Sequence, residues 1–156
     1  MGEIDSKTLY TVDDKLTMKL ADDARMPGKN RVEEIKNYAK LAGITRIGIA
    51  NCIIVQKEAE MLKNMLSADF EVYNIDCKYG KIPTKEILGG ESTSLICNPA
   101  GQAQYLEENK TELNISMGLC VGHDMVFSSK SKVPVTTLIV KDREHKHNPI
   151  QTFKTE

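Results

Sequence analysis

The sequence predicts an α/β protein with a single open, mostly parallel, Rossmann-like sheet of about four strands and helices on both faces. Short runs rich in β-branched residues alternate along the chain with amphipathic segments at helical spacing. This alternation is typical of parallel sheets, whose crossover connections are right-handed in nearly all proteins. N-terminal helices are expected ahead of the first strand.

The N-terminal part of the chain is expected to be helical. Residues 6–25 carry leucine and valine at helical spacing, and a Pro-Gly break over residues 26–30 ends this segment. Asn30 is suited to cap a second helix over residues 31–41, which Gly43 then terminates.

Four short runs rich in Val, Ile, Thr and aromatic residues are predicted to be strands. The segments between them carry apolar residues at helical spacing or helix-start signals. In the Asn98-Pro99 pair, for example, asparagine serves as cap and proline takes the first helical position. The predicted strands cover residues 44–50, 70–75, 113–117 and 135–140, and the predicted helices between them cover residues 55–66, 83–88, 98–109 and 122–129.

These elements divide the chain into three predicted parts. An N-terminal helical segment covers residues 1–30, the α/β domain covers residues 31–150, and a polar tail covers residues 151–156.

His145 and His147 alternate near the end of the domain, a pattern more typical of a solvent-exposed segment than of a metal site.

Composition argues against two broad classes of partner. The chain has 156 residues and a formal net charge of −1, which gives no electrostatic basis for binding nucleic acid. Its apolar runs all fall short of the roughly 20 residues that a membrane helix needs, so no membrane partner is expected. Together with the polar first segment, this predicts a cytoplasmic protein and leaves a homo-oligomer open.

Four cysteines follow the predicted strands or the glycine-rich loop, and none lies inside a strand. Because the carboxyl ends of parallel strands form one rim, where such sheets bind ligands, these thiols are expected to converge. They lie 25, 20 and 23 residues apart, unlike the paired Cys-x-x-Cys turns of structural zinc sites. Scattered thiolates suit an iron–sulfur cluster or another soft metal, with zinc or no metal as alternatives. The candidate ligands are Cys52, Cys77, Cys97 and Cys120.

The strand order decides which of these thiols meet. A doubly wound order with the first strand in the centre would bring Cys52 and Cys120 together most easily. It would leave Cys77 as the ligand expected to drop out.

A metal-free thiol enzyme is the alternative, with Cys120 or Cys97 as nucleophile. Both cysteines lie at or just before predicted helix N-termini, where backbone N–H groups favour a thiolate. His123 follows Cys120 by about one helical turn and is suited to act as base or as metal ligand. Asp124 would orient the histidine. A third alternative is a module that binds a small ligand without catalysis.

Other rim residues are candidates for holding a cofactor or a small anionic ligand. Lys141 and Arg143 follow the last predicted strand and supply positive charge. Gly118 and Gly122 leave room for a ligand to approach the backbone. Asn98, at its helix start, is the fifth candidate.

Several stretches of the chain, taken in order, resemble a known family. The most specific is residues 118–124, Gly-Leu-Cys-Val-Gly-His-Asp. The others are residues 31–52, 77–78, 97–99 with 102–103, 113–115, 141–143 and 147–149. Together these stretches, over about residues 31–150, resemble the domain of unknown function 1847 family of uncharacterised prokaryotic proteins.

The resemblance implies a cytoplasmic protein with a family-level metal-binding designation. That designation depends on a further cysteine cluster near the N-terminus of family members, whereas residues 1–51 of this chain contain no cysteine. A zinc site of that kind is therefore not expected here. The four cysteines that match the later family motifs remain, and the soft-metal, thiol-enzyme and ligand-binding hypotheses all stay open.

Overall fold

The computed structural model describes residues 5–154, which form two compact units, one ending at Ile44 and one beginning at Thr45. The first unit is helical, with a 3-10 turn at Ser6–Leu9, helix α1 at Val12–Ala24 and helix α2 at Arg31–Leu41. The second unit holds the sheet and the four cysteines. The division predicted at residues 30 and 150 stays a prediction.

Helix α1 begins later than its apolar spacing predicts. The predicted helix over residues 6–25 is interrupted because Thr11 forms a reciprocal cap with Asp14. The Thr11 Oγ1 accepts from the Asp14 N–H at 3.1 Å, and the Asp14 carboxylate accepts from the Thr11 N–H at 2.8 Å. Asn30 and Glu33 make the same reciprocal pair at the start of α2, so the predicted cap at Asn30 is confirmed.

The second unit is built on a four-stranded sheet whose neighbouring strands are all parallel, in the order β2-β1-β3-β4. This confirms the predicted α/β fold class. The strands are β1 (Arg46–Asn51), β2 (Glu71–Asp76), β3 (Leu113–Met117) and β4 (Val135–Ile139). The helices are α3 (Gln56–Leu66), α4 (Thr84–Leu88), α5 (Pro99–Glu108) and α6 (His123–Lys130), with 3-10 turns at Ile53–Val55 and Pro149–Phe153.

The strand order distributes the helices over both faces of the sheet. From β1 the chain moves to β2 on one side, then crosses back to β3 and continues to β4 on the other side. Right-handed crossovers in opposite directions place their helices on opposite faces. Helix α3 therefore covers one face, while α5 and α6 cover the other and pack against each other.

Small residues on β1 allow α5 to lie close to the sheet. A Cβ atom at Gly48 would lie 2.8 Å from Leu106 Cδ1 and 2.2 Å from Asn114 Oδ1. The next residue on that face is Ala50, which packs in a buried cluster with α5 and α6 that includes Phe127. This packing fixes the position of α5, whose N-terminus lies beside the rim of the sheet.

Across residues 5–154, no helix is both long enough and apolar enough to cross a membrane.

Candidate functional site: a thiol cluster at the carboxyl-end rim

The carboxyl ends of the four strands bring the predicted site residues to one rim. Cys52 directly follows β1, Cys77 directly follows β2, Cys120 lies in the loop after β3, and Lys141 lies just beyond β4. The chain leaves β1 in one direction and reaches β3 in the other, so the order reverses between these two strands. Ligands bind open α/β sheets at such reversal points.

Cys52 is a buried thiol at the head of the turn that leads into α3. Its Sγ lies 3.1 Å from the Nζ of Lys141, and the backbone N–H of Ile54 also donates to it. Burial raises the pKa of the Cys52 thiol, but the Ile54 amide and the Lys141 ammonium outweigh burial and bring the pKa below its ordinary value. The site therefore stabilises a thiolate at Cys52.

Cys77 has the opposite electrostatic environment. Its buried thiol lies beside those of Cys97 and Cys52, and the backbone N–H of Ile53 donates to it. Burial, reinforced by the charges of the neighbouring sulfurs, raises the pKa of Cys77 to about 12 despite that hydrogen bond. The two neighbouring thiols thus differ in acidity, because the pKa of Cys52 is lowered and that of Cys77 is raised.

A central first strand was expected to bring Cys52 next to Cys120, but Cys52 lies next to Cys77 instead. Strand β1 is central, yet Cys77 has two thiol neighbours and Cys120 contacts Arg143. The reason is register. Asn51 pairs with Asp76, so the residues that follow, Cys52 and Cys77, continue side by side. Cys120 lies three residues beyond the end of β3, after Gly118 and Leu119, whereas Cys52 and Cys77 each directly follow their strands.

Cys97 reaches the cluster because two loops are held together by backbone hydrogen bonds. The Asn98 N–H donates to the Cys77 carbonyl at 2.8 Å, and the Ile96 N–H donates to the Ile82 carbonyl at 2.9 Å. The Asn98 side chain donates to the Tyr79 carbonyl at 3.1 Å and accepts from an N–H of the first turn of α5 at 2.9 Å. Asn98 therefore holds the loop after β2 to the start of α5.

Gln102 is a site residue that the sequence reasoning missed. It is fully buried on the first turn of α5, and its Nε2 donates to the carbonyls of Asn51 at 3.1 Å and Ile75 at 2.9 Å. These carbonyls lie at the ends of β1 and β2, next to the two buried thiols. Its Oε1 is buried and has no hydrogen-bond partner among residues 5–154. A buried polar side chain on an apolar helix face gives no periodic signal, which is why the sequence did not reveal it.

Cys120 forms a second contact between a thiol and a cation. The Arg143 Nη2 lies 3.2 Å from the Cys120 Sγ. The Asp124 carboxylate accepts from two backbone N–H groups of its own turn, at 3.1 Å and 2.7 Å. Within residues 5–154, no hydrogen bond joins His123 to Cys120 or to Asp124. The structure thus places these three residues in one turn without linking them as nucleophile, base and orienter.

The two candidate glycines differ in their surroundings. Gly118 has a φ of +66°, and a Cβ there would lie 3.1 Å from Val55 Cγ2. Its space is filled by protein, and its N–H donates to the Ile139 carbonyl at 2.7 Å. Gly122 has a φ of +93° with open space around it, and it caps α6. Both positions favour glycine for backbone reasons.

The segment after Lys141 is a hydrogen-bonded loop. The Asp142 N–H donates to His147 Nδ1 at 3.1 Å, and the His147 N–H donates back to the Asp142 carbonyl at 2.7 Å. The His145 N–H donates to the Asp142 carboxylate and holds the pKa of that carboxyl below its ordinary value. Lys146 and His147 have φ angles of +52° and +64°, which non-glycine residues rarely adopt. The two alternating histidines are half-buried in this loop, and most of the residues around them are exposed.

The cluster supplies soft donors without forming a closed metal cage. Cys77 neighbours both Cys52 and Cys97, and thiolates suit soft metals. In the part of the chain that the structure describes, however, no three side chains of His, Cys, Asp or Glu are arranged to hold a metal ion.

Comparison with known proteins identifies the family. A family model described as protein of unknown function (DUF1847) matches residues 5–138. The chain belongs to this family. An uncharacterised protein of Methanocaldococcus jannaschii is 48% identical over 133 residues, which cover 82% of this chain and 68% of that protein. No solved structure matches the chain. The family resemblance predicted from the sequence motifs is thus confirmed, and it assigns no reaction.

Proposed function

We propose that the rim carries out thiol–disulfide exchange, with Cys52 as the attacking thiolate and Cys77 as the resolving thiol. The observation that carries this proposal is the 3.1 Å contact between Lys141 Nζ and Cys52 Sγ. An ammonium at this distance favours the charged, nucleophilic form of the thiol. A second thiol beside it supplies the group that completes the exchange.

The reaction would proceed in two balanced steps. In the first, Cys52 Sγ attacks one sulfur of a disulfide, a new S–S bond forms, and the other sulfur leaves as a thiolate with the electron pair of the broken bond. In the second, Cys77 attacks Cys52 Sγ, its proton passes to the leaving sulfur, and the second half of the substrate departs as a thiol. The substrate disulfide is reduced by two electrons, and the two cysteines are oxidised to one disulfide.

The register of the sheet supports the second step. Cys52 and Cys77 occupy the next position after the paired residues Asn51 and Asp76. Neighbouring strands lie about 4.8 Å apart, and disulfides join Cα atoms about 4.4–6.8 Å apart. A disulfide between the two cysteines therefore suits this backbone. We place the chemistry in the cytoplasm, where low-molecular-weight thiols would return the pair to its reduced form.

Mass spectrometry of the reaction with 2-hydroxyethyl disulfide tests this proposal. The wild-type protein should pass through a mixed disulfide at Cys52 and end with a Cys52–Cys77 disulfide. Cys77→Ser should stop at the mixed disulfide, and Cys52→Ser should form neither product. Cys120→Ser is the matched control and should behave like the wild type. The proposal is wrong if Cys52 stays reduced while another cysteine reacts.

A soft-metal protein is the second candidate, favoured by the three neighbouring thiols of Cys52, Cys77 and Cys97. Metal and acid-labile sulfide content, with a visible spectrum of protein purified without oxygen, distinguishes the two functions. Iron with sulfide would support a cluster, and zinc without sulfide a mononuclear thiolate site. Metal-free protein with a reactive Cys52 would support exchange. A small anionic ligand held by Lys141 or Arg143 remains part of either proposal.

A further inference from the structure

A cleft of about 400 Å³ is lined by residues close in the chain to Cys52 and Lys141 and has no role in the steps above. Its lining includes the buried Val55 and the more exposed Val140. The Val55 N–H donates to the Cys52 carbonyl at 3.0 Å, and Val140 directly precedes Lys141. The volume falls within the roughly 300–1,000 Å³ of small-molecule sites. A molecule in this cleft would thus lie against Val55 and Val140, which are linked through the backbone to Cys52 and Lys141.

The walls of the cleft carry charges of opposite sign. Glu58 of α3 stands on one side, and Lys146 and His147 of the loop after β4 also line it. Among residues 5–154, neither Glu58 nor Lys146 has a hydrogen-bond or ion-pair partner, and they do not pair with each other. His147 uses Nδ1 to accept the Asp142 N–H at 3.1 Å, so in the neutral ring the proton is on Nε2, which is a donor. The cleft therefore offers one carboxylate, one ammonium and one imidazole N–H beside apolar side chains.

We propose that this cleft binds a small zwitterion of the amino-acid type, and that the substrate of the rim is a sulfur-containing member of that class. The ammonium of such a ligand would face Glu58, its carboxylate would face Lys146 and His147 Nε2–H, and its apolar stem would lie on Val55 and Val140. This assignment of the substrate class rests on the proposed thiol–disulfide exchange, whereas the binding of zwitterions does not depend on it.

Backbone geometry supports a built site on the loop side. Lys146 and His147 are consecutive non-glycine residues at positive φ, a conformation that persists only where surrounding interactions hold it. The two hydrogen bonds between Asp142 and His147 stabilise this conformation. The loop backbone at Lys146 and His147 is thereby held next to the cleft, which both residues line.

Binding is tested first, without chemistry, with three unreactive thioethers. S-methylcysteine carries both charges, 2-(methylthio)ethylamine lacks the carboxylate, and 3-(methylthio)propionate lacks the ammonium. We expect S-methylcysteine to shift the backbone amide resonances of residues 138–148 and to bind about tenfold more tightly than either analogue. Equal binding of the three compounds, or no shift with S-methylcysteine, would overturn the inference.

Exchange rates at Cys52 with cystine, cystamine and 3,3′-dithiodipropionate then test the substrate class. Cystine should react fastest. Glu58→Gln should lower the exchange rates with cystine and cystamine, which carry ammonium groups. Lys146→Gln should lower the rates with cystine and dithiodipropionate, which carry carboxylates, and the control Lys57→Gln on the same helix should change none of the rates. Equal rates for all three disulfides would refute the substrate class and leave the exchange reaction standing. If Cys52 reacts with none of them while S-methylcysteine still binds, the exchange reaction fails and the cleft stands as a zwitterion site.

Discussion

The ammonium of Lys141 lies 3.1 Å from the sulfur of Cys52, although 89 residues separate them in the chain. The two residues follow β4 and β1, which are not neighbours in the sheet, since β3 lies between them. Their contact is therefore made above the rim, by side chains that reach across the end of β3. The contact lowers the pKa of the Cys52 thiol, whereas the pKa of the adjacent Cys77 thiol is raised.

Removing the Lys141 charge should make Cys52 a weaker nucleophile at neutral pH. In Lys141→Met, burial would act on the Cys52 thiol without the opposing ammonium, so its pKa should rise. The pH dependence of iodoacetamide alkylation at Cys52, followed by peptide mapping, measures this shift. Arg143→Met is the matched control, because Arg143 contacts Cys120, and it should leave the Cys52 profile unchanged. An unaltered pH dependence of alkylation in Lys141→Met would show that the Lys141 ammonium does not control the reactivity of Cys52.

The raised pKa of Cys77 predicts a loss of stability at alkaline pH. The thiol ionises near its ordinary value of 9.0 in the unfolded chain and near 12 in the folded protein. Stability from this group is thus fully present below about pH 9 and is lost as the pH rises towards 12.

Urea unfolding at a series of alkaline pH values tests this prediction. Cys77→Ala should weaken the decline in the free energy of unfolding over that window, relative to wild type. Cys120→Ala serves as the comparison, and a decline of equal steepness in Cys77→Ala would contradict the prediction.

Replacing Gln102 should destabilise the fold although it removes a side chain with an unsatisfied atom. Gln102→Leu loses two hydrogen bonds to strand-end carbonyls, at a cost of about 1–3 kcal/mol in the free energy of unfolding. Gln104→Leu, two residues along the same helix and exposed, should change it little. Chemical denaturation of both variants checks the difference. A Gln102→Leu protein as stable as Gln104→Leu would mean that the buried amide contributes nothing.

Adding one methyl group at Gly48 should also destabilise the protein. The new Cβ would lie 2.2 Å from Asn114 Oδ1 and 2.8 Å from Leu106 Cδ1, so α5 must move away from β1. Overpacking of this kind costs about 1–3 kcal/mol. Thermal unfolding of Gly48→Ala measures the cost. Because α5 carries Gln102, the same variant should also change the rate of Cys52 alkylation, and an unchanged rate would show that the rim is insulated from this packing.

The parallel sheet and the position of thiols at its rim could both be predicted from the sequence. Strand runs such as residues 113–117 matched β3, because short β-branched segments between helices have few alternative structures. The identity of the neighbours could not be predicted, since it depends on strand order and register. Cys97 and Cys120 were expected to be reactive from helix starts alone, whereas the thiol with a lowered pKa is Cys52, whose cation is distant in sequence.

Two other features lay outside the reach of sequence patterns. The loop from Asp142 to His147 contains no strand or helix signal, and its order comes from hydrogen bonds that close on its own backbone and carboxylate. Gln102 lies among apolar neighbours on α5, and only the positions of the strand ends explain why an amide is needed there.

The separation of Lys141 from the cysteines has a consequence for how the protein matures. A growing chain emerges from the ribosome N-terminal end first, and segments fold as they become available. Cys52, Cys77 and Cys97 all precede α5 and are present long before β4 is made. Until that last strand joins the sheet, no ammonium favours the Cys52 thiolate. In nascent chains, and in chains truncated before Lys141, the Cys52 thiol would therefore have a higher pKa and react more slowly.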